Sequence, residues 1–423
     1  MRAVAIGLFL ALLADAFGAW AEQAQKKDGD ERKRVGLNRQ VAEKLLEANE
    51  RLDQEKYDEA LALVDQAAKL RRLKAPDLAQ IHRFRGYIFV NKGMSEQAAA
   101  EFEKSLAQNA LDRSAEQVMT YSLAQLYTQL ERYDRALALI DTWFETVETP
   151  KPDAYFLKAM ILVQQEDFQA ALAPAKTAVD MSPKPRESWL QLLVAIYGNL
   201  RDYPNVATTL ERLAALSPGK KLYWVQLAAV QHHLERDAKA LATLRLAHEA
   251  ELLSEEKEFL QLARLLYLRE MPFQCAQVIE EGMAAGVLEA DEGSYGLLSN
   301  CYLAAREGDE ALAPLAKAAE LSDSGDKYVL LGQLHLQQER FDLALEALQQ
   351  ALAKSKPEQR GSVQLLIGVT QLGSERFDDA ERAFRAAQGD EKVRRAAESY
   401  LKFVEEQRAR REQHETLRTA SIH

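Results

Sequence analysis

Between residues 41 and 388 the apolar positions fall in short blocks, each with one apolar face at helical spacing, separated by brief polar breaks. One phrase keeps returning inside the blocks: an aromatic residue, a polar pair, then a small residue. It reads Tyr57-Asp58-Glu59-Ala60, Tyr133-Asp134-Arg135-Ala136, Phe168-Gln169-Ala170-Ala171, Phe341-Asp342-Leu343-Ala344 and Phe377-Asp378-Asp379-Ala380. Weaker copies end at Ala98, Val206, Ala240, Ala276 and Ala311, and successive small residues stand 33 to 38 positions apart. A period of this length fits two helices joined by a tight turn. Such a pair is amphipathic and buries its apolar face only by stacking on its neighbours, which makes one continuous core.

Other positions keep the same register. Twelve residues before the small anchor stand Gly86, Ala124, Ala159, Val194, Ala228, Ser299, Gly332 and Gly368, where a small side chain lets the two helices of a pair approach closely. Arg264 breaks this rule, so the pair ending near Met283 is expected to be distorted. Nine residues before the anchor, Phe89, Tyr127, Tyr197, Tyr267 and Tyr302 are expected to fill the space between helices. Asp58, Asp134, Asp342 and Asp378 each open a second helix, where an N-cap carboxylate satisfies free backbone amides. Pro174 and Pro314 fall inside second helices and are expected to bend them.

The pattern resembles the tetratricopeptide repeat, whose period is about 34 residues. The resemblance implies an all-α, right-handed superhelical solenoid of about ten helix pairs over residues 41–388. A charged capping helix is expected at 389–413 and a disordered tail at 414–423. At the other end, Arg2, the apolar run Ala3 to Leu13 and the small-residue site Ala19-Trp20-Ala21 read as a signal peptide over 1–21, followed by a flexible polar lead-in over 22–40. Asp15 interrupts the apolar run, so stable membrane insertion after cleavage is not expected. The expected location is the periplasm.

Composition agrees with helix: Gly (19) and Pro (11) are sparse for 423 residues. The net charge of −11 is spread along the chain with no basic stripe, which argues against nucleic acid and anionic lipid. Enzyme and cofactor signatures are missing. His248-Glu249 lacks a second histidine four residues on, Gly219-Lys220 lacks the earlier glycine of a phosphate loop, and no Cys-x-x-Cys pair occurs. No catalytic residue, metal, cofactor or small-molecule substrate is therefore expected. The pair His232-His233 reads as a surface or groove pair without a ligand; the sharper alternatives are a weak metal contact or a proton-sensitive peptide contact. Cys275 and Cys301 lie on antiparallel neighbouring helices, which leaves a disulfide or two buried thiols as the alternatives.

In this fold the first helices line the concave face. One register position near their C-terminal ends carries Asn91, Gln129, Gln164, Asn199, His233, Arg269 and Gln337. A carboxamide both donates and accepts, so a row of them can hold an extended peptide backbone whatever its side chains. On the same face are expected Arg83, Tyr87, Tyr121, Gln125, Phe156, Met160 and Gln191, aromatic and arginine side chains being common binding anchors.

Some stretches are more individual: Ser188-Trp189-Leu190-Gln191-Leu192-Leu193 with Tyr197 and Asp202-Tyr203-Pro204-Asn205-Val206, then Leu222-Tyr223-Trp224, and Gln364-Leu365-Leu366-Ile367-Gly368. Together they resemble the exported tetratricopeptide proteins found with TonB, ExbB and ExbD in proteobacteria. The resemblance implies a periplasmic scaffold that holds extended segments of envelope or TonB-system proteins. The alternative is a scaffold for envelope assembly, serving polysaccharide, cell-wall or outer-membrane-protein biogenesis.

Overall fold

The computed structural model describes residues 36–420. Among the described residues there are 21 α-helices, a single-turn 3-10 helix at Pro357–Gln359, and no strand. The chain divides into two compact units, one ending at Pro218 and one starting at Gly219. The first unit holds five helix pairs: α1 (Arg39–Asp53) with α2 (Tyr57–Ala68), α3 (Ala75–Asn91) with α4 (Ser95–Ala107), α5 (Arg113–Gln129) with α6 (Tyr133–Thr146), α7 (Pro152–Gln164) with α8 (Phe168–Asp180), and α9 (Glu187–Asn199) with α10 (Tyr203–Leu216). The second holds five more: α11 (Lys221–His233) with α12 (Asp237–Glu249), α13 (Glu256–Leu268) with α14 (Pro272–Ala284), α15 (Glu292–Ala304) with α16 (Gly308–Leu321), α17 (Asp326–Gln337) with α18 (Phe341–Lys354), and α19 (Arg360–Gly373) with α20 (Phe377–Ala387). The final helix, α21, covers Arg394–Ala420, so it starts later and runs further than the expected 389–413, and residues 414–420, read from sequence as tail, are helical. The expected signal segment and most of the lead-in lie outside the described residues.

Inside each unit a second helix packs on its own first helix and on the first helix of the next pair. First helices also meet one another, α1 with α3, α7 with α9 and α17 with α19, which makes them the inner layer. Pro174 and Pro314 lie within α8 and α16, and neither ends its helix.

The close approach inside a pair has a visible socket and knob. A Cβ on Gly86 would stand 2.3 Å from a ring carbon of Phe102, one on Gly368 2.5 Å from Phe384, and one on Gly332 2.6 Å from Leu348. Each knob sits four residues after the small anchor and is fully buried. Where the socket is alanine, as at Ala124 and Ala228, the knob at the same register is the slimmer Ile140 or Leu244. The two aromatic knobs, Phe102 and Phe384, thus both face glycine, although Gly332 shows that a glycine socket can also hold a leucine.

The turn inside every pair closes the same way. A residue with positive φ follows the first helix, and the next amide donates back across six residues, as in Arg132 N–H to Tyr127 C=O at 2.7 Å and Arg376 N–H to Gln371 C=O at 2.8 Å. This is the Schellman closure, which usually takes glycine at the left-handed position. Here only Gly93 does so; Glu55, Glu131, Glu166, Glu235, Glu270, Glu339 and Glu375 occupy seven of the others. A left-handed L-residue costs roughly 1–2 kcal/mol. Glu131→Gly is therefore expected to stabilise the first unit by about 1 kcal/mol despite glycine's greater freedom when unfolded. Urea denaturation measures it, and a loss of stability would show that the Glu131 side chain holds the turn.

The same turn fixes the register of the seventh pair. In every other pair the left-handed residue stands five positions before the small anchor; Glu270 therefore points to Cys275 as the anchor, not Ala276. The socket is then Ala263, fully buried, and the exposed Arg264 never had to fit there. The pair is regular, and the expected distortion is absent. Leu266 takes the buried position assigned to Tyr267, which is 41% exposed.

Candidate functional site

The amide row is present at the C-terminal ends of the inner helices, but its members behave differently. Asn91 and Asn199 donate to carbonyls of their own helices, Tyr87 C=O at 2.9 Å and Ala195 C=O at 2.8 Å, so they close helix ends. Gln129, Gln164 and Gln337 make no such bond; Gln129 and Gln337 are exposed and Gln164 is half-buried. His233 is exposed at the end of α11, while its neighbour His232 meets Asp237 at 2.6 Å. The register of the seventh pair corrects one member: Leu268, 65% exposed, occupies the row position, and Arg269 is the residue that caps α13.

Two further candidates are also corrected. Tyr121 and Gln125 are each only 7% exposed, because residues 119–128 of α5 are enclosed without a break. The Tyr121 ring packs on Trp143 at 5.2 Å, and burial pushes its hydroxyl well above the ordinary phenol range. Neither side chain is offered to a partner. Arg83, Tyr87, Phe156, Met160 and Gln191 are half-buried on the inner layer. Phe156 stacks on Trp189 of the next first helix at 5.8 Å, and Arg186 lies over Trp189 at 5.2 Å. These contacts tie α7 to α9 and hold the aromatic wall of this face.

The aspartates expected to cap second helices do something else. The caps are Lys56, Arg132, Arg340 and Arg376, and none uses its side chain. Asp58, Asp134, Asp342 and Asp378 stand at the second helical residue and reach the following element instead. Lys92 meets Asp58 at 2.5 Å, Gln165 meets Asp134 at 2.7 Å, Arg376 meets Asp342 at 2.7 Å, and Arg408 of α21 grips Asp378. Glu96 with Arg132 and Asp309 with Arg340 continue the series, both at 2.9 Å. In the fourth to seventh pairs Gln169, Pro204, Ala238 and Phe273 hold this position, so the acidic clasp is missing there. Asp167 and Asp202 are true side-chain caps in two of those pairs. Each exposed clasp contributes little alone, typically under about 1 kcal/mol.

A more enclosed polar cluster joins the first two pairs. Glu101 of α4 meets His82 at 2.7 Å, Lys104 at 2.7 Å and Arg85 at 3.5 Å, and Arg85 also holds Asp65 of α2 at 2.6 Å. Burial raises the pKa of the Glu101 carboxyl, but hydrogen bonds from His82 and Lys104 and the nearby positive charge outweigh it and leave the group below its ordinary value. A depressed carboxylate contributes stability above its unfolded pKa and loses it as pH falls through the folded value. Glu101→Gln is therefore expected to cost about 1–3 kcal/mol at pH 7, with the gap to the parent closing in acid. Denaturation at pH 7 and pH 3 checks this; an equal gap at both would mean that shape, not charge, matters.

Cys275 of α14 and Cys301 of α15 are joined by a disulfide, with Cα atoms 5.9 Å apart and both residues fully buried. It ties one pair to the next. Beside it the Tyr302 hydroxyl donates to Glu280 at 2.6 Å; burial and the carboxylate push that tyrosine up to about 12. The first unit has the same tie at the same register, Tyr127 to Glu103, once Cys275 is taken as the anchor. Among the described residues no group of three or more His, Cys, Asp or Glu is placed to hold a metal ion, and no helix is long and apolar enough to cross a membrane.

Stacked helix pairs with an inner row of polar and aromatic side chains define a repeat scaffold. The tetratricopeptide-repeat family pattern matches residues 45–117, 119–184 and 329–392, and the chain carries tetratricopeptide repeats there. Repeats of this kind serve protein–protein interaction and are generally not catalytic. Solved structures with a similar fold include YrrB, described as a TPR protein with an unusual peptide-binding site (16% identity over 44% of this chain and 91% of that one, TM-score 0.36). Others are the C-terminal part of a TPR repeat-containing protein from Cytophaga hutchinsonii (17%, 64% and 94%, 0.37) and the APC/C hetero-tetramer Cut9-Hcn1 (12%, 87% and 96%, 0.29). No curated protein matches the chain.

Proposed function

We propose that the chain is an exported scaffold whose inner helix layer holds extended segments of other proteins, and that it serves a TonB-type transport system of the envelope. The observation that carries the binding role is the set of glutamines, Gln129, Gln164 and Gln337, at one register position and uncommitted to their own helices. A helix-end amide needed only for folding would bond as Asn91 and Asn199 do. Export is supported by the signal-like start of the sequence and by a disulfide that persists best in an oxidising compartment. The transport role rests on the phrase-level resemblance alone.

Photo-crosslinking residues placed at Gln129, Gln164 and Gln337 in living cells test both levels. Adducts with a transport component are the expected result. Adducts only with polysaccharide or cell-wall enzymes would replace the transport role with envelope assembly, and no adduct from any of the three would remove the binding role. In purified protein, Gln129→Ala with Gln164→Ala should leave the unfolding midpoint unchanged, whereas Asn91→Ala with Asn199→Ala should lower it. A fall for the glutamine pair would make the whole row structural.

A further inference from the structure

Three register positions of the inner helices, 15, 11 and 7 residues before the small anchor, form one stripe at helical spacing, from α3 onward exposed or half-buried except where Tyr121 and Gln125 are enclosed. From α3 to α9 in the first unit, and from α11 to α19 in the second, none of these positions is acidic, although Asp and Glu outnumber Lys and Arg 65 to 54 over the chain. The surplus negative charge lies elsewhere. In the second unit one of these positions is Arg264, in the middle of α13. It is exposed and makes no ion pair or hydrogen bond among the described residues. Three nearby lysines are paired: Lys221 and Lys257 meet Glu255 at 2.9 and 2.7 Å, and Lys327 meets Glu292 at 2.5 Å.

One turn to either side of Arg264 on the same stripe lie Leu260, half-buried, and Leu268, 65% exposed. The next first helix, α15, presents Gly296, Asn300 and Ala304 at the matching positions, so its side chains leave the guanidinium open. An arginine fork without a carboxylate, set between a half-buried and an exposed leucine on a stripe without acidic residues, is complementary to an acidic side chain flanked by apolar ones.

We infer that this face of the second unit receives an extended protein segment in which an aspartate or glutamate stands between apolar residues. Arg264 takes the carboxylate in a two-pronged hydrogen bond. Leu260 and Leu268 cover the flanking apolar side chains, and Asn300 bonds the segment's backbone. The inference rests on the peptide-holding role proposed above and names the class of segment held. Arg83, the arginine of the first unit's inner face, is half-buried with its guanidinium 5.7 Å from the Phe84 ring, so it is less available for the same task.

A displayed library of twelve-residue peptides, selected on the full chain, gives the test. Recovered sequences should share an acidic residue with apolar neighbours. A synthetic peptide of that consensus should bind about tenfold more weakly to Arg264→Gln. Changing its acidic residue to the amide should cost the same factor, and the two changes together should cost little more than either. A consensus without an acid, or an affinity unmoved by Arg264→Gln, overturns the inference. If acid-free peptides are recovered and Leu268→Ala weakens them, the peptide-holding role survives without the acidic preference. If no peptide is enriched, or none responds to any substitution on this face, both readings fall.

Discussion

Deleting the Cys275–Cys301 bond should lower the stability of the second unit by about 3.5 kcal/mol, the value loop-closure entropy gives for a crosslink spanning 26 residues. The substitution at the first site is sterically mild, because alanine stands at the equivalent position in eight of the other pairs. Cys301→Ala removes one buried sulfur, a small additional loss. Cys275→Ala/Cys301→Ala and the parent protein in strong reductant should therefore give nearly the same urea midpoint. Hydrogen exchange should place the loosening in α13 to α16 and leave the first three pairs as protected as before, since each pair contacts only its neighbours. Unchanged stability in reductant would mean that the packing around these sulfurs suffices without the bond.

The socket of the second pair should give an effect of similar size. Phe102→Ala empties a fully buried site and is expected to cost about 3–5 kcal/mol. Gly86→Ala forces a methyl into the ring of Phe102 and is expected to cost about 1–3 kcal/mol, even though alanine favours helix over glycine by about 1 kcal/mol. Combining Gly86→Ala with Phe102→Leu should recover much of this, because alanine sockets already face Ile140 and Leu244 elsewhere in the chain. Additive losses in that double variant would show that the close contact between Gly86 and Phe102 is not what sets the helix spacing.

The repeat and its ten pairs are legible in sequence because the turn geometry demands a small anchor at a fixed place. Cys275 shows where this reading slips. Cysteine is nearly as small as alanine, but Ala276 beside it fits the repeated phrase better, and an anchor there displaces Arg269 and Tyr267 by one residue. The left-handed turn residue settles the register, and a glutamate gives no sequence hint of that conformation. The aspartates at the second helical position look like caps in sequence for a related reason. Periodicity shows that they recur, not whether the helix begins before or after them. Tyr121 and Gln125 carry the chemistry of a groove, yet their enclosure depends on how tightly α5 is surrounded by its neighbours. The uncommitted glutamines and the open Arg264 were visible as letters only; their availability required knowing what lies beside them.

The sockets have an evolutionary corollary. Knob and hole sit in the same helical hairpin, while the charged clasps and the disulfide run between hairpins. A hairpin is thus a cassette: duplicated, lost or transplanted, it carries its own interior fit and must renegotiate only its borders. Lengthening or shortening such an array by recombination would spare the cores and test the seams.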